Sequence, residues 1–252
     1  MLKILAIGNS FSEDATKYLY DLAKSDGIPL KVVNLYIGGC SLERHWNNIL
    51  QNAAEYDYQL NGVSTGKQVT IQEVLEEDAW DVITLQQCSG YSGVIDSYYP
   101  YHKLLSDYVK QVVPNAKQLV HKTWAYEIDS DHSQFCYYHN NQEEMYRSLT
   151  ECYDKMAQEL GLQIIPCGDV IQKLRTLPAF DYAHGGKSLC RDGFHMHFVY
   201  GRYALAATWY EAVVKGNILL NQYQPPVIDG VEATKEELEL IKQCVHQVIH
   251  SN

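Results

Sequence analysis

Leu2-Lys3-Ile4-Leu5-Ala6-Ile7 runs directly into Gly8-Asn9-Ser10-Phe11-Ser12, and this junction decides how the rest of the chain is read. The stretch to Ile7 is a short apolar run, long enough for one buried strand. Gly8 to Ser12 breaks the run, and a helical pattern begins at Glu13. A strand that ends in a small-residue turn and feeds a helix gathers backbone N–H groups and the positive helix end around one point. Ser10 stands at that point. Ser10 or Ser12 also suits a plain helix cap, because serine is a favoured N-cap residue. A catalytic role for Ser10 therefore requires a base and an oxyanion site from elsewhere in the chain.

Outward from this junction the pattern repeats. Residues 13–25 carry Tyr18, Leu19, Leu22 and Ala23 at helical spacing, with Gly27 and Pro29 stopping the helix. Residues 30–36 read as a second strand, Gly38-Gly39-Cys40-Ser41 as a tight turn, and residues 42–53 as a helix bearing His45 and Trp46. Residues 56–70 alternate around Asn61-Gly62, a strong hairpin signal, and predict a small β excursion on the edge of the fold. Further strands are expected at 81–86, 117–123 and 162–166, and helices at 71–77, 102–113, 141–160, 169–177, 198–215 and 234–249. Residues 127–140 read as a loop over the active face. Strand, turn and helix recurring in this way predict an α/β protein with a five-stranded parallel doubly wound sheet in the order 2-1-3-4-5. Ligands bind such sheets outside the carboxyl ends of the strands. Ser10, Gly39 and Gln86 each follow one of the first three strands and so converge on one crevice.

The 252 residues fit one domain, 1–252, with 217–252 as a linker and terminal helix. A formal net charge of −11 argues against nucleic acid and anionic membrane surfaces as partners. No apolar run approaches the roughly 20 residues of a membrane span. No signal peptide is visible, and the seven cysteines show no paired spacing, which points to reduced thiols and a cytoplasmic location unless a leader has been removed. The absence of a CxxC pair disfavours a structural zinc site, and no cofactor is expected.

Acyl transfer needs a nucleophile, a base, a group that orients the base, and donors for the developing oxyanion. Asp192 and His195 lie three apart just before a helix. This spacing lets the carboxylate hold one ring nitrogen while the other faces Ser10. The same segment also suits a capping Asp192 and a packed His195. Other pieces are weaker: His195, His197 and Asp192, with His184, offer a possible metal set; His121 inside a strand reads as a core histidine; His45, Trp124 and Tyr126 follow strand ends and are candidates for contacting a sugar.

The arrangement resembles the SGNH (GDSL-type) hydrolase superfamily. Gly8-Asn9-Ser10-Phe11-Ser12 resembles its first block, Gly39 in Ile37-Gly38-Gly39-Cys40-Ser41 the second, and Asp192-Gly193-Phe194-His195 the last. Two positions depart from the usual pattern: Asn9 replaces an aspartate, and Leu85-Gln86-Gln87 replaces the Gly-x-Asn-Asp block. The resemblance implies a flavodoxin-like three-layer α/β/α sandwich. It also implies a triad of Ser10, Asp192 and His195, and an oxyanion hole from the N–H groups of Ser10 and Gly39 with the amide of Gln86, or else Gln87. The implied activity is hydrolysis of a small acyl ester, acetyl above all, on a carbohydrate or other small molecule. Two alternatives stay open: a non-catalytic carbohydrate-binding protein on the same fold, and a metal-dependent hydrolase using Asp192, His195 and His197. The oligomeric state is open, with a homodimer through the terminal helix one option.

Overall fold

The computed structural model describes residues 1–251. The first strand, β1 (Leu2–Gly8), is the axis of the sheet. Ile4, Leu5, Ala6 and Ile7 are all buried, as a strand covered on both faces requires. Two short helices follow, α1 (Ser10–Thr16) and α2 (Leu19–Ser25), then β2 (Leu30–Tyr36) and α3 (Leu42–Gln51). The hairpin is β3 (Tyr56–Leu60) and β4 (Val63–Val69). Next come α4 (Ile71–Glu77), β5 (Val82–Leu85), α5 (Tyr101–Val112), β6 (Lys117–His121), α6 (Gln142–Leu160), β7 (Gln163–Ile165) and α7 (Cys167–Leu174). The chain ends with α8 (Tyr200–Trp209), one π-helical turn (Tyr210–Val214) and α9 (Lys235–His250).

The sheet has seven strands, not the expected five, in the order β4-β3-β2-β1-β5-β6-β7. Strands β2, β1, β5, β6 and β7 pair in parallel, while β3 and β4 extend the sheet antiparallel beyond β2. The hairpin is therefore part of the central sheet and not an excursion from it. Its turn follows the sequence signal: Asn61 and Gly62 both adopt positive φ, at 51° and 79°. The pairing of Val33–Tyr36 with β3 covers an edge of β2 that would otherwise expose unpaired backbone groups.

Helices cover both faces of the sheet. α1, α2, α7, α8 and α9 pack together on one side, and α3, α4, α5 and α6 on the other. The terminal helix α9 buries Leu238, Ile241, Cys244 and Val245 against this first group and closes the fold there. The single helix expected over 13–25 is two, separated at Lys17 and Tyr18. There the Gly62 turn packs onto the Lys17 carbonyl, and the Lys17 ammonium donates to the Gly62 carbonyl at 2.7 Å. The helix expected over 198–215 likewise changes pitch at Tyr210. Among the described residues no helix is long and apolar enough to cross a membrane.

Two imidazoles are sealed in this core. Burial pushes His45 and His121 down to about 3. An unfolded chain takes up protons at both rings below about 6.5 while the folded one does not, so stability falls as the pH drops from there toward 3. The loss is up to about 1.4 kcal/mol per pH unit for each ring. Urea unfolding should therefore show a lower midpoint at pH 5 than at pH 7, with a smaller difference in His45→Gln. A midpoint that does not move over this window would contradict the burial of neutral rings.

Candidate active site

The turn after β1 is built around Asn9, not around a serine. The Asn9 Oδ1 accepts from the Phe11 N–H at 3.0 Å and caps α1. Ser12 completes a capping box by accepting from the Asn9 N–H at 2.9 Å, and its hydroxyl lies 2.6 Å from Asn34 Oδ1. Ser10, the first helical residue, takes no part in capping, so its hydroxyl is left for another partner. Asn9 is buried and reaches further. Its Nδ2 donates to the Cys40 carbonyl at 3.0 Å, and its Oδ1 accepts from Gln86 Nε2 at 2.8 Å. One amide thus ties the carboxyl ends of β1, β2 and β5 together. An aspartate here has no N–H for the Cys40 carbonyl, which accounts physically for asparagine at this position.

The partner of Ser10 comes from the far end of the chain. His195 Nε2 lies 2.9 Å from Ser10 Oγ, and His195 Nδ1 lies 2.7 Å from Asp192 Oδ2. The other carboxylate oxygen accepts from the N–H groups of His195, at 2.8 Å, and Phe194, at 3.2 Å. Partial burial alone would raise the Asp192 carboxyl, but these bonds from His195 outweigh it and hold the group below the usual range. Hydrogen bonding to the carboxylate favours its charged form, which is the form able to fix the imidazole.

A buried carboxylate that the sequence did not single out docks this turn onto α1. Asp14, with no exposed surface, accepts from Arg191 Nη1 at 3.0 Å, from Arg202 Nε at 2.7 Å and from the Met196 N–H at 2.8 Å. Arg191 also donates to the Met196 carbonyl. Aromatic rings complete the seat. Phe11 stacks on Trp124 with ring centroids 4.1 Å apart, and its edge meets His195. Trp124 Nε1 donates to the Phe194 carbonyl at 2.8 Å, and the Glu127 N–H donates to the Gly193 carbonyl at 2.7 Å. Gly193 has φ of 83°, and a Cβ there would come within 2.9 Å of Ser130 Cα, so the turn needs glycine.

The other expected residues divide. Gly39 is exposed with φ of 62° in the turn after β2, which the Asn9–Cys40 bond fastens beside the start of α1. Gln86 sits at the end of β5, but one amide hydrogen goes to Asn9 and its Oε1 lies 2.5 Å from His121 Nδ1. Only its second Nε2 hydrogen is left for a ligand. Gln87 is committed to the loop: its Oε1 accepts from the Leu42 and Cys88 N–H groups and its Nε2 donates to Ser97.

The proposed sugar contacts at His45, Trp124 and Tyr126 do not hold, because all three are buried. His45 stacks on Tyr56 and bonds its hydroxyl at 2.9 Å; Trp124 supports the Phe194 turn; the Tyr126 hydroxyl meets Ser89 Oγ at 2.8 Å. Following a strand end says nothing about which way a side chain points. The metal set fails as well. The His197 ring accepts from the Val199 N–H at 3.2 Å and stacks on Tyr200, while His184 pairs with Asp181. Among the described residues these do not join Asp192 and His195 in a ligand cluster. A hollow of about 280 Å³ does adjoin Asp192, lined by Asp129, Asp131, Tyr182, Ser188 and Arg191 among others.

The family described as "Domain of unknown function (DUF4886)" matches residues 3–246. A crystal structure of a DUF4886 family protein from Bacteroides uniformis is 36% identical, with a TM-score of 0.90, covering 99% of this chain and 95% of that one. A protein provisionally assigned as an SGNH hydrolase, from Slackia heliotrinireducens, is 20% identical with a TM-score of 0.56, covering 83% of this chain and 97% of that one. An acetylxylan esterase from Geobacillus stearothermophilus is 13% identical with a TM-score of 0.52, covering 83% and 93%. The fold is thus of the SGNH hydrolase kind. No curated protein matches the chain.

Removing Asp14 leaves two guanidinium groups facing each other without their shared counter-charge. Breaking a buried ion pair from one side costs about 3–5 kcal/mol. Asp14→Asn should lower the urea-unfolding free energy at pH 7 by an amount in this range. A loss under about 1 kcal/mol, the scale of an exposed ion pair, would show that the cluster does not hold the two segments together.

Proposed function

We propose that this chain, which belongs to the DUF4886 family, is a serine esterase that removes a small acyl group, acetyl foremost, from a carbohydrate. The observation that carries this reading is the 2.9 Å contact between His195 Nε2 and Ser10 Oγ, with Asp192 at the opposite ring nitrogen.

Ser10 Oγ attacks the ester carbonyl carbon while His195 Nε2 takes its proton. Asp192, held ionised by the bonds described above, keeps the Nδ1–H tautomer in place and stabilises the imidazolium. The developing oxyanion meets the N–H groups of Ser10 and Gly39 and the second hydrogen of Gln86 Nε2. First-turn helix amides such as that of Ser10 have no intrahelical acceptor, so this donor is available without disrupting α1. Collapse of the tetrahedral intermediate expels the alcohol, which takes its proton from His195 Nε2. Water, activated by the same nitrogen, then releases the acid from Ser10.

The small acyl group and carbohydrate rest on access to the pair and on likeness of fold. The His195 side chain keeps 20% of its surface exposed, so the reacting pair is reachable from solvent by a bulky alcohol. The fold is shared with an acetylxylan esterase.

Ser10→Ala should reduce hydrolysis of p-nitrophenyl acetate and acetylated xylo-oligosaccharides to the background rate without lowering Tm. Asp192→Asn should lower kcat by about 10⁴-fold, as loss of the tautomer-fixing carboxylate does in serine proteases. Undiminished hydrolysis by Ser10→Ala would refute the mechanism. A wild-type protein that binds acetylated sugars without turnover would support a binding module instead.

A further inference from the structure

At the opposite end of α8 from His195, about 15 Å along the helix axis by its rise per residue, three side chains converge that have no part in the site above. Glu211 lies on the π-helical turn, and His246 and His250 stand one helical turn apart on α9. His246 Nδ1 is 2.6 Å and His250 Nε2 is 3.0 Å from the same oxygen, Glu211 Oε1. One donor atom from each residue lies within 4.8 Å of the other two.

Hydrogen bonding leaves this group incomplete. The Glu211 side chain is 4% exposed, yet its second oxygen, Oε2, is buried with no partner. A buried carboxylate with one bare oxygen is costly. Protonating either histidine does not help, since both rings face Oε1. A cation bound through one oxygen of the carboxylate offsets the charge that the bare oxygen shares. The π turn is a second pointer, because single π turns occur mostly at functional sites.

We propose that Glu211, His246 and His250 form a binding site for a late first-row divalent metal, zinc foremost, that clasps α9 to the end of α8. The His₂-carboxylate set is too rich in nitrogen for calcium or magnesium, which take oxygen ligands, and suits zinc. Ligands about 2.0–2.2 Å from a tetrahedral zinc sit about 3.3 Å from one another, so the 2.6 Å and 3.0 Å separations from Glu211 Oε1 need to open by about 0.7 and about 0.3 Å. His246 and His250 are 36% and 57% exposed, which leaves them free to make this adjustment and leaves room for water at a fourth position. Each ring binds as a neutral imidazole, its proton moving to the nitrogen that faces away.

The test uses the full chain without a histidine tag, stripped with EDTA and titrated with Zn²⁺ by calorimetry, with Tm followed in parallel. One equivalent should bind and Tm should rise, while Mg²⁺ and Ca²⁺ should do neither. His250→Gln, a change at an exposed position, should weaken zinc binding by at least the roughly 10–100-fold typical of losing even an outer-shell partner. His246→Gln should do the same, and ester hydrolysis, where present, should be unchanged in both. No stoichiometric zinc binding, or binding that survives both substitutions because it resides at other surface histidines, would overturn the proposal.

Discussion

The site depends on the carboxylate of Asp14. It lies one helical turn beyond Ser10 and accepts from Arg191, Arg202 and the Met196 N–H, so it fixes the segment that carries His195 against the helix that begins with Ser10. Hydrogen bonds to a charged acceptor are shorter and stronger than neutral ones, and here several meet on one buried group. The two arginines flank the Asp192–His195 turn, one on each side. The imidazole therefore reaches the serine as a consequence of a structural ion cluster that touches neither Ser10 Oγ nor the His195 ring.

A second knot sets the other half of the crevice. Asn9 links the ends of three neighbouring strands, and the Phe11–Trp124 stack braces the turn around Phe194. These interactions are short, buried and mutually dependent, which favours a pre-organised site over one that forms on binding. Behind them Glu127 accepts from Gln142 and Ser188 with Arg175 at 3.7 Å, which anchors the loop to α7 from the rear. The residues that look like a ligand surface in the sequence, Trp124 and Tyr126 above all, prove to be the walls that hold this loop in place.

Much of this was legible in local patterns. The strand–turn–helix start, the Asn61-Gly62 hairpin and the Asp-x-x-His segment each need only a few consecutive residues to be recognised. What escaped were relations between distant residues. Nothing near Asp14 names Arg191 or Arg202 as its partners, 177 and 188 residues away. The hairpin's place in the central sheet depends on the free edge of β2, which only the assembled sheet defines. Gln86 follows a strand that its own sequence neighbourhood marks, but its competing bond to Asn9 follows from close packing of two turns. The i,i+4 spacing of His246 and His250 was visible in the sequence; the buried Glu211 opposite them, presented by a π turn, was not.

The central claim is that the fold delivers His195 to Ser10 as an activated pair. Mass spectrometry of the intact protein after treatment with a fluorophosphonate tests it most directly. The account predicts a single adduct, mapped to Ser10 after digestion, that forms in wild-type protein and is lost in His195→Ala. No adduct under conditions that label known serine hydrolases, or an adduct on a different residue, would contradict it.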